Sequence, residues 1–298
     1  MAAPAGVVNA MTVDVEDYFQ VSAFDAVVPR SRWDQLESRV SANTDRLLDV
    51  FAEHSLTATF FVLGWVAERF PGLVARIGRL GHEIASHGYG HELIYTQTPA
   101  AFREDVRRAK ALLEAASGRA VDGYRAPSFS ITTRSLWALD VLIEEGHHYD
   151  ASIFPIRHDR YGIPSSPRHP YVLSRESGSL VECPGSTARV GPLNVPVAGG
   201  GYFRLLPYAW TRWGIARLNR QERQPAVFYL HPWEVDPGQP RLHAPWLSRF
   251  RHYRHLDETE TRLRRLLQDF RFGPLRDVVA AVTAPASDRL GVGLERSA

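Results

Sequence analysis

Cysteine is nearly absent from this sequence: Cys183 is the only one in 298 residues. That excludes an internal disulfide and any metal site built from several thiolates. Its context, "SLVECPG", reads as a buried strand end with a structural thiol. Net charge is also scarce. The 35 basic and 33 acidic residues leave +2, so no nucleic-acid partner is called for. No apolar run is long enough to cross a membrane. The opening "MAAPAGVVNAM" lacks the basic and apolar regions of an export signal. These absences predict a cytoplasmic protein, with membrane-associated or periplasmic action left open. Internal repeats and low-complexity linkers are absent too. The expectation is therefore one domain over residues 1–283. It has a motif-bearing core over 9–235, a helical extension over 236–283 and a flexible tail over 284–298. Nothing in the pattern sets an oligomeric state. The basic residues cluster only modestly, in "RFRHYRH" and "TRLRRLL". Such clusters predict solvated helix faces, with contact to an anionic surface as the sharper reading.

What is present is an alternation of strands and helices. "GVVNAMTV", "ATFFVLG", "HEIASH", "AVDGYRAP" and "HHYDAS" read as strands in the first half. Between them, residues 41–54, 65–81, 98–118 and 133–146 carry helical apolar spacing. Asn43 or Thr44 is available to cap the first helix, Pro71 breaks the second and Gly118 ends the third. Residues 155–205 are rich in Pro, Gly and Ser and predict irregular excursions around one short strand at "SLVECPG". A helix over 206–220, a late strand "AVFYLHPWE" and a charged helix over 257–270 follow. Repeated strand–helix units imply an α/β fold with a parallel sheet or barrel.

The polar residues collect where these strands end. The first runs into Asp14, Glu16 and Asp17, and the third into His87 and His91. The fourth runs into Arg125, the fifth into Asp150 and the late strand into His231 and Glu234. In parallel barrels the loops after the strands build the active site. His87 and His91, four apart with glycines between, can reach one cation; a carboxylate from another strand end would complete an open site. Such a donor set suits one divalent metal, Zn first, with Co, Fe, Ni or Mn possible. A metal there lowers the pKa of water and polarises a carbonyl. It also makes the acidic cluster tolerable. A carboxylate near the metal suits a general base, and His231 on the opposite rim suits the acid. Arg125 and Asp150 read as an orienting pair.

In this order the motifs resemble those of the polysaccharide deacetylases, the NodB-homology proteins of carbohydrate esterase family four. "TVDVED" is similar to the acidic motif, "SHGYGH" to the His-x-x-x-His motif and "RAPS" to the Arg-x-Pro motif. "DASIFP" and "LHPWE" match two later ones, so the resemblance spans residues 9 to about 235. It implies a distorted (β/α)7 barrel. It implies Asp14 as catalytic base, Arg125 as its tether, His231 as general acid, and His87 and His91 as metal ligands. It places Asp150 in the motif that lines the groove, and the Ser128 backbone N–H beside the oxyanion. Val15 stands where most of the family has a second, adjacent aspartate. By analogy with Asp-x-Glu relatives Glu16 is the ligand, with Asp17 as competitor. Trp233, Tyr202 and Phe203 are candidates to line a sugar groove. The wording "TVDVEDYFQVSAF", "GGGYFRLLP" and "FYLHPWEVDPGQP" resembles a subgroup linked to exopolysaccharide loci and exosortase sorting. The implied activity is hydrolysis of N-acetyl groups on 2-acetamido sugars of an exopolysaccharide or its precursor, an N-acetylated oligo- or polysaccharide. An amidase on a small cyclic amide and an inactive sugar-binding barrel are the alternatives.

Overall fold

Strand β1, Asn9–Val15, is the axis of the molecule. Its side chains alternate between two environments, as a strand's period of two requires. Ala10 packs in one apolar cluster with Phe61, Ala85, Tyr149, Val181 and Val227, all from other strands. Met11, Val13 and Val15 pack in another, against helix residues such as Leu47, Leu48 and Phe51. The first cluster is a barrel interior and the second the layer between sheet and helices. A computed structural model describes residues 6–284, so the first five residues and most of the expected tail, 285–298, lie outside the described residues.

The first half follows the expected alternation. Helix α1 is Val40–Glu53 and strand β2 Thr59–Val62. Helices α2, Gly64–Arg69, and α3, Pro71–Arg79, meet at the predicted Pro71 break. Strand β3 is Glu83–Ser86 and helix α4 Pro99–Ser117. Thr98 caps α4 by accepting from Ala101 N, and Gly118 ends it in the left-handed region. Strand β4, Gly123–Tyr124, helix α5, Trp137–Glu144, and strand β5, Tyr149–Asp150, complete this half.

Residues 155–205 are more regular than their composition predicts. Strands β6, Tyr171–Arg175, and β7, Gly178–Glu182, form an antiparallel hairpin. So do β8, Thr187–Val190, and β9, Leu193–Pro196. Helices α6, Gly200–Leu205, and α7, Tyr208–Arg217, lead to β10, Val227–Leu230. Helices α8, Trp246–Tyr253, and α9, Leu256–Asp269, follow. Strand β11, Phe272–Gly273, and helix α10, Leu275–Thr283, end the described chain.

Seven strands run parallel in the order β10, β1, β2, β3, β4, β5, β7. This is the expected distorted (β/α)7 barrel. The ladder does not continue from β7 to β10. The chain between them spans the gap: Ser186 Oγ accepts from Val227 N (2.7 Å), and Gly199 bridges Tyr229. Gly199 has φ +109, and a Cβ there would lie 2.1 Å from the Tyr229 carbonyl oxygen, so only glycine fits this seam.

The C-terminal extension is not purely helical. Strand β11 joins the sheet beside β1, and α10 closes the barrel floor. Leu275 and Val278 enter the interior cluster, and Leu275 N donates to Thr59 Oγ1 (2.7 Å). With the floor plugged, the opposite end, where the parallel strands finish, is left for a site.

Candidate metal centre and active site

Strand ends β10, β1, β3 and β4 deliver their polar side chains into one cavity of about 490 Å³. Thr12 and Asp14 share the inward face of β1, and both accept from Arg125 Nη1 (2.8 and 2.6 Å). Glu16 N donates back to Asp14 O (3.1 Å), a tight turn centred on Val15. That turn brings the second carboxylate to the cavity despite the inserted valine.

Glu16, His87 and His91 form the group able to hold a metal, with potential ligand atoms all within 4.8 Å of one another. His87 Nδ1 lies 2.8 Å from the Arg125 carbonyl, which can only accept. The proton is therefore on Nδ1, and Nε2 offers its lone pair to the cavity. His91 sits at φ +51, a left-handed conformation that costs a non-glycine residue about 1 kcal/mol or more. His91 Nε2 approaches Glu16 Oε2 to 2.7 Å without hydrogen-bond alignment, and that buried oxygen has no hydrogen-bond partner. Two imidazole nitrogens and an orphaned carboxylate oxygen are a donor set that fits a divalent cation. Burial alone would raise the Glu16 carboxyl, but His91, His231 and His87 outweigh it and hold it at about 2. Burial likewise holds His87 down at about 4, so it is a neutral ligand at pH 7.

Asp17 points elsewhere. Its Oδ2 accepts from Ser38 Oγ (2.7 Å), Arg39 N (2.9 Å) and Val40 N (3.2 Å). It therefore satisfies the first amides of α1, the task expected of Asn43 or Thr44. Those two residues are buried inside α1, which has no side-chain cap of its own.

His231 stands at the end of β10, on the other side of Asp14. Its Nε2 lies 3.8 Å from both Asp14 Oδ2 and Glu16 Oε1. Its Nδ1 pairs with Glu234 Oε1 (2.5 Å), and Glu234 Oε2 accepts from Arg204 Nε (2.6 Å). Burial opposes charge on His231, yet Glu16, Glu234 and Asp14 together push it up to about 9. The Arg204–Glu234 support is a functional feature the sequence reading missed. Its signal was the acid three residues after His231 in "LHPWE".

Two expected roles change with the geometry. Asp150 does not pair with Arg125. Its Oδ1 accepts from Ser152 Oγ (2.5 Å), and Ser152 Oγ accepts from Ala126 N (2.7 Å). Burial and the Asp150 charge push the adjacent Glu182 carboxyl well up. Asp150 thus braces the loop that presents Ser128, and Arg125's acidic partner is Asp14. Phe203 is buried on Phe228 (4.9 Å between centroids) and lines no groove. Trp233 does reach the cavity, but 95% buried. Its Nε1 donates to Glu16 Oε1 (3.2 Å) and its ring stacks on His231 (5.1 Å). Tyr202 lines the wall, its hydroxyl 3.0 Å from that of Tyr161. Ser128, at φ +52, lines it too.

Comparison with known proteins matches two segments that hold most of the site, with Asp14 and Glu16 preceding both. Residues 23–142, with His87, His91 and Arg125, match the family model described as polysaccharide deacetylase. Residues 151–280, with Arg204, His231 and Glu234, match a domain of unknown function, DUF3473. A peptidoglycan-N-acetylglucosamine deacetylase of Bacillus cereus is 34% identical over 98 residues, 33% of this chain and 36% of that protein. A chitooligosaccharide deacetylase of Bradyrhizobium is 31% identical over 99 residues, 33% of this chain and 43% of its own. The chain thus spans well under half the length of these curated relatives. A crystal structure from Mycobacterium smegmatis, classed with the polysaccharide deacetylases, covers 100% of this chain and 98% of its own. At 22% identity and a TM-score of 0.59 it supports the fold. The segment that supplies the two histidines and the arginine is thus the one that matches the polysaccharide deacetylase family.

Proposed function

We propose that this protein is a metal-dependent N-deacetylase that releases acetate from 2-acetamido sugars of an exopolysaccharide or its precursor, with zinc as the preferred metal. The observation that supports this most is a proton acceptor, Asp14, and a proton donor, His231, 3.8 Å apart beside the Glu16–His87–His91 group. When bound, the metal supplies Lewis acidity, activating water and polarising the acetyl carbonyl. Arg125 holds Oδ1 of Asp14 and leaves Oδ2 facing the cavity, where it takes the proton of the attacking water. The Ser128 N–H stabilises charge on the carbonyl oxygen. His231, its Nδ1 proton engaged by Glu234, keeps a proton on Nε2 at neutral pH and gives it to the departing nitrogen. The C–N bond breaks, leaving acetate and a free amine.

The cavity favours a sugar chain over a small cyclic amide. Its wall carries Tyr161, Tyr202 and Trp233, and exposed Arg160 and Arg251 stand at its edge, so it opens to the surface. The retained acid, base and ligand set argues against an inactive binding barrel. Acetate release from N-acetylated chitooligosaccharides, measured with added Zn, Co, Ni and Mn, tests the reading. Release that disappears in Asp14→Asn and His87→Ala is expected. No release with any metal and any N-acetylated glycan would overturn it.

A further inference from the structure

The basic stretch "RFRHYRH" is not used by this chemistry. Its first five residues lie on α8, at the edge of the cavity, which Ser248, Arg251 and His252 help to line. Three large apolar side chains of α8 face solvent: Trp246 at 74% exposure, Leu247 at 49% and Phe250 at 41%. Trp246 and Phe250 stack on each other (5.6 Å). At about 100° per residue these three form one stripe. It lies opposite the side bearing His252, which is buried on Trp233 (4.1 Å). Arg249 flanks one edge of the stripe and Arg251 the other. Residues 237–256 contain no Asp or Glu but four arginines: Arg241, Arg249, Arg251 and Arg254. None of the four makes an ion pair among the described residues. Arg254 lies over Phe250 and Arg241 over Tyr253, but a folded chain gains little from an exposed Trp–Leu–Phe stripe amid cations without acidic partners.

We propose that α8 is an interfacial helix that docks this protein on an anionic lipid bilayer. Its apolar stripe would enter the headgroup boundary and its arginines meet lipid phosphates. An apolar stripe bordered by basic residues is the pattern such helices use. A second copy fits less well. Symmetric pairing would set these arginines against the same arginines, and residues 237–256 hold no acid to neutralise them. Docking would set the cavity mouth beside the membrane surface, where a lipid-linked glycan is presented. The docking itself does not depend on the reaction assigned to the cavity.

Co-sedimentation of the full chain with sucrose-loaded vesicles tests the proposal without any enzyme assay. Binding to phosphatidylcholine vesicles with about 30 mol% phosphatidylglycerol is expected, with little binding to phosphatidylcholine alone. It should weaken as salt rises. The pair Trp246→Ser with Phe250→Ser should lower partitioning about tenfold, and so should Arg249→Glu with Arg254→Glu. Trp213→Ser, which removes an exposed tryptophan from α7, should leave it unchanged. Circular dichroism verifies folding, and either pair alone suffices for the test. Absence of lipid-dependent sedimentation, or binding that both pairs retain, would overturn the proposal. So would a dimer in solution that the Trp246/Phe250 pair dissociates without any lipid binding; that result would assign the face to a second copy.

Discussion

The Glu16 carboxylate faces two imidazoles, whereas that of Asp17 turns away to accept from Ser38, Arg39 and Val40. Substitution should therefore separate the two adjacent acids. Glu16→Ala should lose tight zinc binding, read by metal content after dialysis. Asp17→Ala should keep the metal and lose about 2 kcal/mol, or roughly 4–8 °C in Tm, because three donors lose their acceptor. The reverse pattern would exchange the two roles. Glu234 is the residue-scale test of the acid. Its charge helps raise His231, so Glu234→Gln should move the basic limb of the pH–rate profile to lower pH and slow turnover about tenfold or more. An unmoved basic limb would mean that another group sets it. Glu16's place was legible only in part. The motif offered two acids, and the turn at Val15, which decides between them, is a backbone feature that composition does not reveal.

Elements of the first half were legible because each carries one clear signal. The apolar spacing of α4, the Pro71 break and the β-branched, aromatic run of β2 agree with their local structure. Of the hairpins of residues 171–196 only β7, at "SLVECPG", was legible. Strand β6 alternates half-buried and exposed side chains, and its sequence "YVLSR" reads as loop when the partner strand is unknown. The same holds for β11 and α10, which derive their role from the barrel floor they close. The "GGG" at 199–201 carries a stronger constraint than a flexible loop would. Gly199→Ala puts a Cβ against the Tyr229 backbone at an unfavourable φ, at the seam between β10 and the rest of the barrel. A loss of several kcal/mol, seen as a much lower urea midpoint or insoluble protein, is expected. Wild-type stability in this variant would show that the seam is not tightly packed.

Across the whole molecule, buried histidines set how stability depends on pH. Burial holds His147 down at about 3 and His82 at about 4, against an ordinary 6.5. Below about pH 6.5 the unfolded chain binds protons that the folded chain refuses, so stability falls as pH falls toward 4. His231 has the opposite sign. Raised to about 9, it contributes stability that is full below 6.5 and is lost progressively as pH rises from 6.5 to 9. The metal-free urea midpoint should therefore be highest near pH 6.5, and its acid decline should be shallower in His147→Asn. An equally steep decline in that variant would assign the acid sensitivity to other groups. At this scale the fold and the strand-end positions of the site residues were visible in the sequence. The Arg204–Glu234 link and the Ser152–Ala126 link were not, because each joins residues from separate excursions. The central claim is that Glu16, His87 and His91 hold the metal that makes this barrel a deacetylase. Its most direct test is acetate release from an N-acetylated oligosaccharide as zinc is titrated into metal-free protein. Activity that rises to a plateau at about one equivalent, and stays near zero in Glu16→Ala, is the predicted result. Acetate release independent of zinc, or restored in Glu16→Ala by the same single equivalent, would contradict it.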